Sequence, residues 1–287
     1  MDKTDLSEDG AHVVIVGGDN SGSSPLNVFD YDFANNTKGP VYTTGCSAIV
    51  NSSNNECVHG NTQTPDNNVM IDFANDGVAA EQGVRLWTGA TPLTPIQDST
   101  NHMDTGYDMN GSPVFIEMGN STVLPTDTNP CPSGWGLDVR QIYDTPSAVC
   151  LIDIDLYGSI SSWHIGYRGS SAQPWVSVSF FDDRNPSPEW FDTNSNYSAP
   201  NSSNWQYLED EIDLVRIDAN NNAKYMYRLA QAHSRSNEDF DGQPHAALSR
   251  DGRYVAFQSN SAYAHSGCPA NFQTSTNCTD VYVIKVQ

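Results

Sequence analysis

The sequence predicts an all-β chain built from about five copies of one four-stranded unit. Two observations carry this. A segment near the start, Leu6-Ser7-Glu8-Asp9-Gly10 followed by Val13-Val14-Ile15-Val16, recurs near the end as Leu248-Ser249-Arg250-Asp251-Gly252 followed by Val255-Ala256-Phe257. Between them lie short β-branched and aromatic runs separated by Gly, Asn, Asp and Ser, with no long amphipathic helix pattern.

In both copies a short strand enters Ser-x-Asp-Gly, a tight turn whose glycine accepts positive φ, and leaves as a second strand. A third strand follows a polar loop, Asn27–Tyr31 in the first copy and Asp280–Ile284 in the last. A second unit runs from His59 through Thr64-Pro65-Asp66-Asn67 and Val69-Met70-Ile71 to Val84–Trp87, with Asp-Asn in the turn. The third runs from His102 through Asp108-Met109-Asn110-Gly111 and Val114-Phe115-Ile116 to Leu137–Arg140, with Cys150–Ile154 as its outer strand. The fourth starts at Trp163-His164-Ile165, continues with Trp175–Phe180 and Glu211–Ile217, and closes with Lys224–Arg228, without an Asp-Gly turn.

Five units average about 57 residues, the size of four strands with their loops in a propeller blade. The expected architecture is one β-propeller domain over 1–287, with blades near 3–50, 57–98, 101–156, 162–230 and 243–287. The first unit opens on its inner strand and the last stops after its third, so a longer parent propeller and an unusual closed ring both remain open. The stretch from Gln243-Pro244-His245 through Leu248-Ser249-Arg250-Asp251-Gly252 to Gln258-Ser259-Asn260 resembles the TolB-type, WD-like propeller repeat. That resemblance implies the fold and leaves function open.

Asp plus Glu number 35 against 13 Lys plus Arg, for a net charge of -22, which opposes binding to nucleic acid or anionic membrane. A solubilising surface, a saline habitat and carboxylate-bound divalent cations all produce such a balance. No apolar run reaches the roughly 20 residues of a membrane-spanning helix, and no leader-like start is visible. The six cysteines form three short-range neighbours, Cys46 with Cys57, Cys131 with Cys150, and Cys268 with Cys278, none spaced for a zinc ribbon. Local disulfides are the simpler interpretation, each worth roughly 3 kcal/mol for loops of this size. They imply a secreted, cell-surface or periplasmic protein.

Propeller blades direct their first strands at the central channel. Four of those strands begin near histidine: His59, His102, His164 and His245. His102 and His245 stand six positions before Asp108 and Asp251, whereas His59 stands seven before Asp66, a slip that turns its side chain away unless a bulge intervenes. A histidine-lined channel mouth suits a metal site or acid–base chemistry, and equally plain packing inherited from the repeat.

Gln243-Pro244-His245 is also similar to part of the site in propeller-type polysaccharide lyases, the oligogalacturonate and ulvan lyases, where inner-strand histidines bind metal or act in catalysis beside Tyr and Arg. The resemblance carries over to Gln243 and His245 alone; with His59 and His102 from the repeat-equivalent strand starts, they are the candidate ligands of a divalent metal, a transition metal or calcium. Gln243 departs from the His-Pro-His expected there. A uronate lyase needs a cation, a base and an acid. The candidates are His164 with Tyr167 and Arg168, and His233 with Arg235. For each the alternative is ordinary packing or hydrogen bonding between blades. The loop Glu238-Asp239-Phe240-Asp241-Gly242 offers hard oxygen ligands without the spacing of a calcium loop.

No serine-hydrolase elbow, phosphate-binding loop or zincin motif occurs. The sequence therefore points to a propeller that acts on or binds an extracellular polysaccharide. The rival is a non-catalytic propeller that binds protein or glycan, or self-assembles into an extracellular structure.

Overall fold

The repeated turn shows how the chain folds locally. In a computed structural model, Gly10, Gly111 and Gly252 sit at φ +71°, +79° and +71°, and Asn67 at +64°, left-handed conformations that favour glycine and asparagine. A side chain at the head of each turn caps it. Ser7 Oγ accepts from the His12 amide at 2.9 Å, Thr64 Oγ1 from Asn68 at 2.9 Å, Asp108 Oδ1 from Ser112 at 2.8 Å, and Ser249 Oγ from Tyr254 at 2.9 Å. Asp108 therefore occupies the capping position of Ser249, and Asn110 stands where the other turns carry Asp.

The structure describes residues 6–7, 9–18, 25–47, 57–73, 78–98, 102–119, 130–143, 148–153, 162–167, 174–181, 208, 211–217, 225–232, 243–259 and 280–286. They form eighteen strands in five antiparallel sheets. The first is β1 (His12–Gly17), β2 (Pro25–Asp32) and β3 (Thr37–Ser47). The second is β4 (Val58–Gln63), β5 (Val69–Phe73), β6 (Gly83–Trp87) and β7 (Thr94–Gln97). The third is β8 (His102–Tyr107), β9 (Pro113–Gly119), β10 (Gly136–Gln141) and β11 (Val149–Asp153). The fourth is β12 (Ser162–Tyr167), β13 (Trp175–Phe181), β14 (Glu211–Arg216) and β15 (Met226–Gln231). The fifth is β16 (Ala247–Leu248), β17 (Tyr254–Ser259) and β18 (Asp280–Lys285).

Each sheet meanders outward in chain order, and the first strands are neighbours in series, β4 beside β8, β8 beside β12 and β12 beside β16. In the first sheet an isolated bridge from Leu6 to Val13 stands at the inner-strand position, with β1 beside β4. This is the blade arrangement of a β-propeller. The turns of the first and last blades come within reach of a long side chain: a Cβ on Gly10 would lie 3.7 Å from Arg250 Nη1.

The core lies between blades. Val114, Ile116, Leu137 and Val139 of the third pack against Ile165, Val176, Val178 and Val215 of the fourth. Polar side chains tie the inner strands together. Asp104 Oδ2 accepts from the Tyr167 amide at 2.8 Å, and Ser177 Oγ donates to the Ala246 carbonyl at 2.9 Å. Glu81 joins blade two to blade one by accepting from the Gly45 amide at 2.7 Å and the Tyr42 hydroxyl at 2.6 Å. Disulfides link Cys46 to Cys57 across the same pair of blades, and Cys131 to Cys150 within the third. Cys268 and Cys278 lie outside the described residues.

Candidate functional site

Because each inner strand is entered at the same end, the histidines near the strand starts are carried to one mouth of the channel. His59, in β4, is brought round by a register shift between Val58 and Gly60, a bulge at the one position where the spacing was out of step. The four imidazoles form a continuous row. The ring centroids of His59 and His102 are 6.4 Å apart, those of His102 and His164 4.6 Å with planes at 84°, and those of His164 and His245 3.8 Å with planes at 29°.

His164 is buried and the other three are half-buried. Its Nε2 is hydrogen-bonded with Gln243 Oε1 at 2.8 Å, which fixes the orientation of the ring. Gln243 is itself held, its carbonyl accepting from Gln258 Nε2 at 2.9 Å. The row is thus a fixed line of donors and aromatic faces drawn from four successive blades.

Among the described residues no group of three or more His, Cys, Asp or Glu is disposed to hold a metal ion.

Tyr167 is placed elsewhere. It is 2% exposed between blades three and four, its ring lying over Gly106 and its hydroxyl donating to the Tyr107 carbonyl. Arg168, His233 and Arg235 lie outside the described residues, as do Glu238, Asp239 and Asp241.

No protein-family model matches the chain, and no curated protein matches it by sequence. The blades are those of a β-propeller. Its backbone is similar to that of TolB from Acinetobacter baumannii, at 9% identity and a TM-score of 0.48, over 89% of this chain and 48% of that one. It is also similar to an oligogalacturonate lyase from Vibrio parahaemolyticus, at 10% identity and 0.47, over 99% and 65%. A third likeness is to the β-propeller domain of the Trilobed protease from Pyrococcus furiosus, at 10% and 0.46, over 99% and 68%. The chain spans about half the length of the Acinetobacter TolB. At these identities the likeness concerns the course of the backbone alone.

The propeller also buries carboxylates that the strand motifs stop just short of. Val69-Met70-Ile71 is followed by Asp72, and Val114-Phe115-Ile116 by Glu117, both fully buried, and Glu117 pairs across the ladder with buried Asp138. An acid closing an apolar run was the available signal. Asp213 in β14 is buried as well, its carboxyl pushed up to about 7 by loss of solvent and by the neighbouring Glu211, against the pull of Arg228. Glu211 bonds to Arg228 at 2.6 Å, and its own carboxyl is raised by burial.

At the turn end, a cavity of about 410 Å³ opens between blades four and five, lined by Trp175, Leu214, Tyr227, Arg228, Leu229, Leu248 and Val286.

Proposed function

We propose that this chain is an extracytoplasmic β-propeller that binds an acidic polysaccharide at its histidine-lined channel mouth. The observation that carries this is the unbroken contact of four imidazoles from four successive blades, oriented through Gln243. With Lys plus Arg at 13, fixed cations are scarce, so recognition of the sugar falls to the imidazole donors and ring faces of the row. The half-buried rings also offer N–H donors to sugar hydroxyls. The two disulfides support an oxidising compartment outside the cytoplasm. Among the described residues no helix is long and apolar enough to cross a membrane.

Elimination at a uronate requires a cation for the carboxylate, a base for the adjacent proton and an acid for the leaving oxygen. The histidine row supplies donors and acceptors, and Arg168, His233 and Arg235 are the groups that would complete the chemistry. Tyr167, bonded inside a blade interface, is not among them.

The test is calorimetric titration of the 287-residue protein with oligogalacturonate, followed by ultraviolet absorbance for an unsaturated uronate product and by mass spectrometry for bound metal. Saturable binding without product supports a glycan-binding propeller. Product supports a lyase. Neither binding nor product across acidic glycans contradicts this function and favours a structural role.

A further inference from the structure

In blades two, three and four the third strand is buried on both faces, as in β6, β10 and β14, because a fourth strand covers its edge and further blades cover its sides. β18, the third strand of blade five, is different. Among the described residues it is the outer edge of its sheet. Its side chains alternate, with Tyr282 and Ile284 packed toward blade four while Val281 and Val283 are 73% and 63% exposed.

Such an edge invites pairing with another strand. Within β18 there is no proline, no ladder irregularity with β17, and no charge between Asp280 and Lys285. Those two end charges cancel, so the strand is neutral in a chain of net charge -22. The open face beside it, formed by Tyr254, Ala256 and Gln258 paired with Lys285, Val283 and Val281, carries no acid. A second copy meets no carboxylate on this face.

We propose that β18 pairs antiparallel with β18 of a second copy, joining two blades into one continuous sheet about a two-fold axis. In such an isologous contact, residues on one face meet residues on the same face, so the axis passes at Tyr282 or at Val283. The first register sets Val283 against Val281 of the partner, and the second sets Val283 against its own copy. Either gives the exposed valines cross-strand neighbours and the edge amides and carbonyls their partners.

Sedimentation velocity of the full chain over a roughly hundredfold concentration range tests this. The wild type is expected to show a monomer–dimer equilibrium. The double variant Val281→Lys/Val283→Lys sets lysines face to face in either register and is expected to remain monomeric, with unchanged melting at high dilution because both positions are solvent-facing. The double variant Val281→Thr/Val283→Thr keeps a β-branched edge and is expected to dimerise. A wild type that is monomeric throughout, a lysine variant that dimerises equally, or a threonine variant that does not dimerise overturns the proposal.

Discussion

His164 and His245 come from adjacent blades and stack face to face, with ring centroids 3.8 Å apart. Neither backbone alone sets this distance. The inner strands are drawn together by Ser177, whose hydroxyl donates to the Ala246 carbonyl, and Gln243 holds the His164 ring from the side. Replacing Gln243 with Ala is expected to free the ring and weaken glycan binding about tenfold, the loss of roughly one good hydrogen bond, with little change in melting temperature. Calorimetric titration and a thermal scan separate the two effects.

The buried carboxyl of Asp213 makes stability depend on pH. Its raised folded value means that between about pH 4 and pH 7 the unfolded chain ionises while the folded chain does not, so the stability present at acid pH is lost through this window and stays lost above it. Asp213→Asn removes the titration. Urea denaturation is expected to show the variant gaining about 2–4 kcal/mol over wild type near pH 8 and much less near pH 4. An equal difference at both pH values contradicts a neutral, buried Asp213.

Tyr167 tests whether the lyase-like grouping read from the sequence operates. Its hydroxyl serves the Tyr107 carbonyl and its ring fills the space above Gly106, where a Cβ would clash with the ring. Tyr167→Phe is expected to cost about 1 kcal/mol of stability and to leave glycan binding and any product formation unchanged. Gly106→Ala forces the ring aside and is expected to cost about 1–3 kcal/mol. Loss of binding in a stably folded Tyr167→Phe variant contradicts the structural role.

The turn repeat predicts a graded effect. Gly252 at φ +71° excludes a β-branched side chain, so Gly252→Val is expected to destabilise by about 1–2 kcal/mol, and Ser249→Ala, which removes the acceptor of the Tyr254 amide, by about 1 kcal/mol. Thermal melting measures both. No change in either contradicts the capped turn.

The blade repeat was legible because its turn chemistry recurs in sequence, and the histidine row because repeat equivalence places four strand starts at one mouth. Two outer strands were hidden. β3 contains Pro40 and β7 contains Pro95, and a proline within a short polar run reads as loop, although an outermost strand tolerates it because one edge needs no partner. The packing of Tyr167 was hidden for a different reason: its neighbour Gly106 belongs to another blade, and nothing local to the Gly166-Tyr167 segment discloses that a ring will rest on it. The contact of Gln243 with His164 spans two blades and was equally out of reach, though both residues had been singled out separately.

The most direct test of the histidine row as a glycan site is calorimetric titration of oligogalacturonate into wild type and His245→Ala. The account predicts saturable binding by the wild type and a loss of about tenfold or more in the variant with its melting temperature retained. Binding unaffected by His245→Ala, or no binding by the wild type, would contradict it.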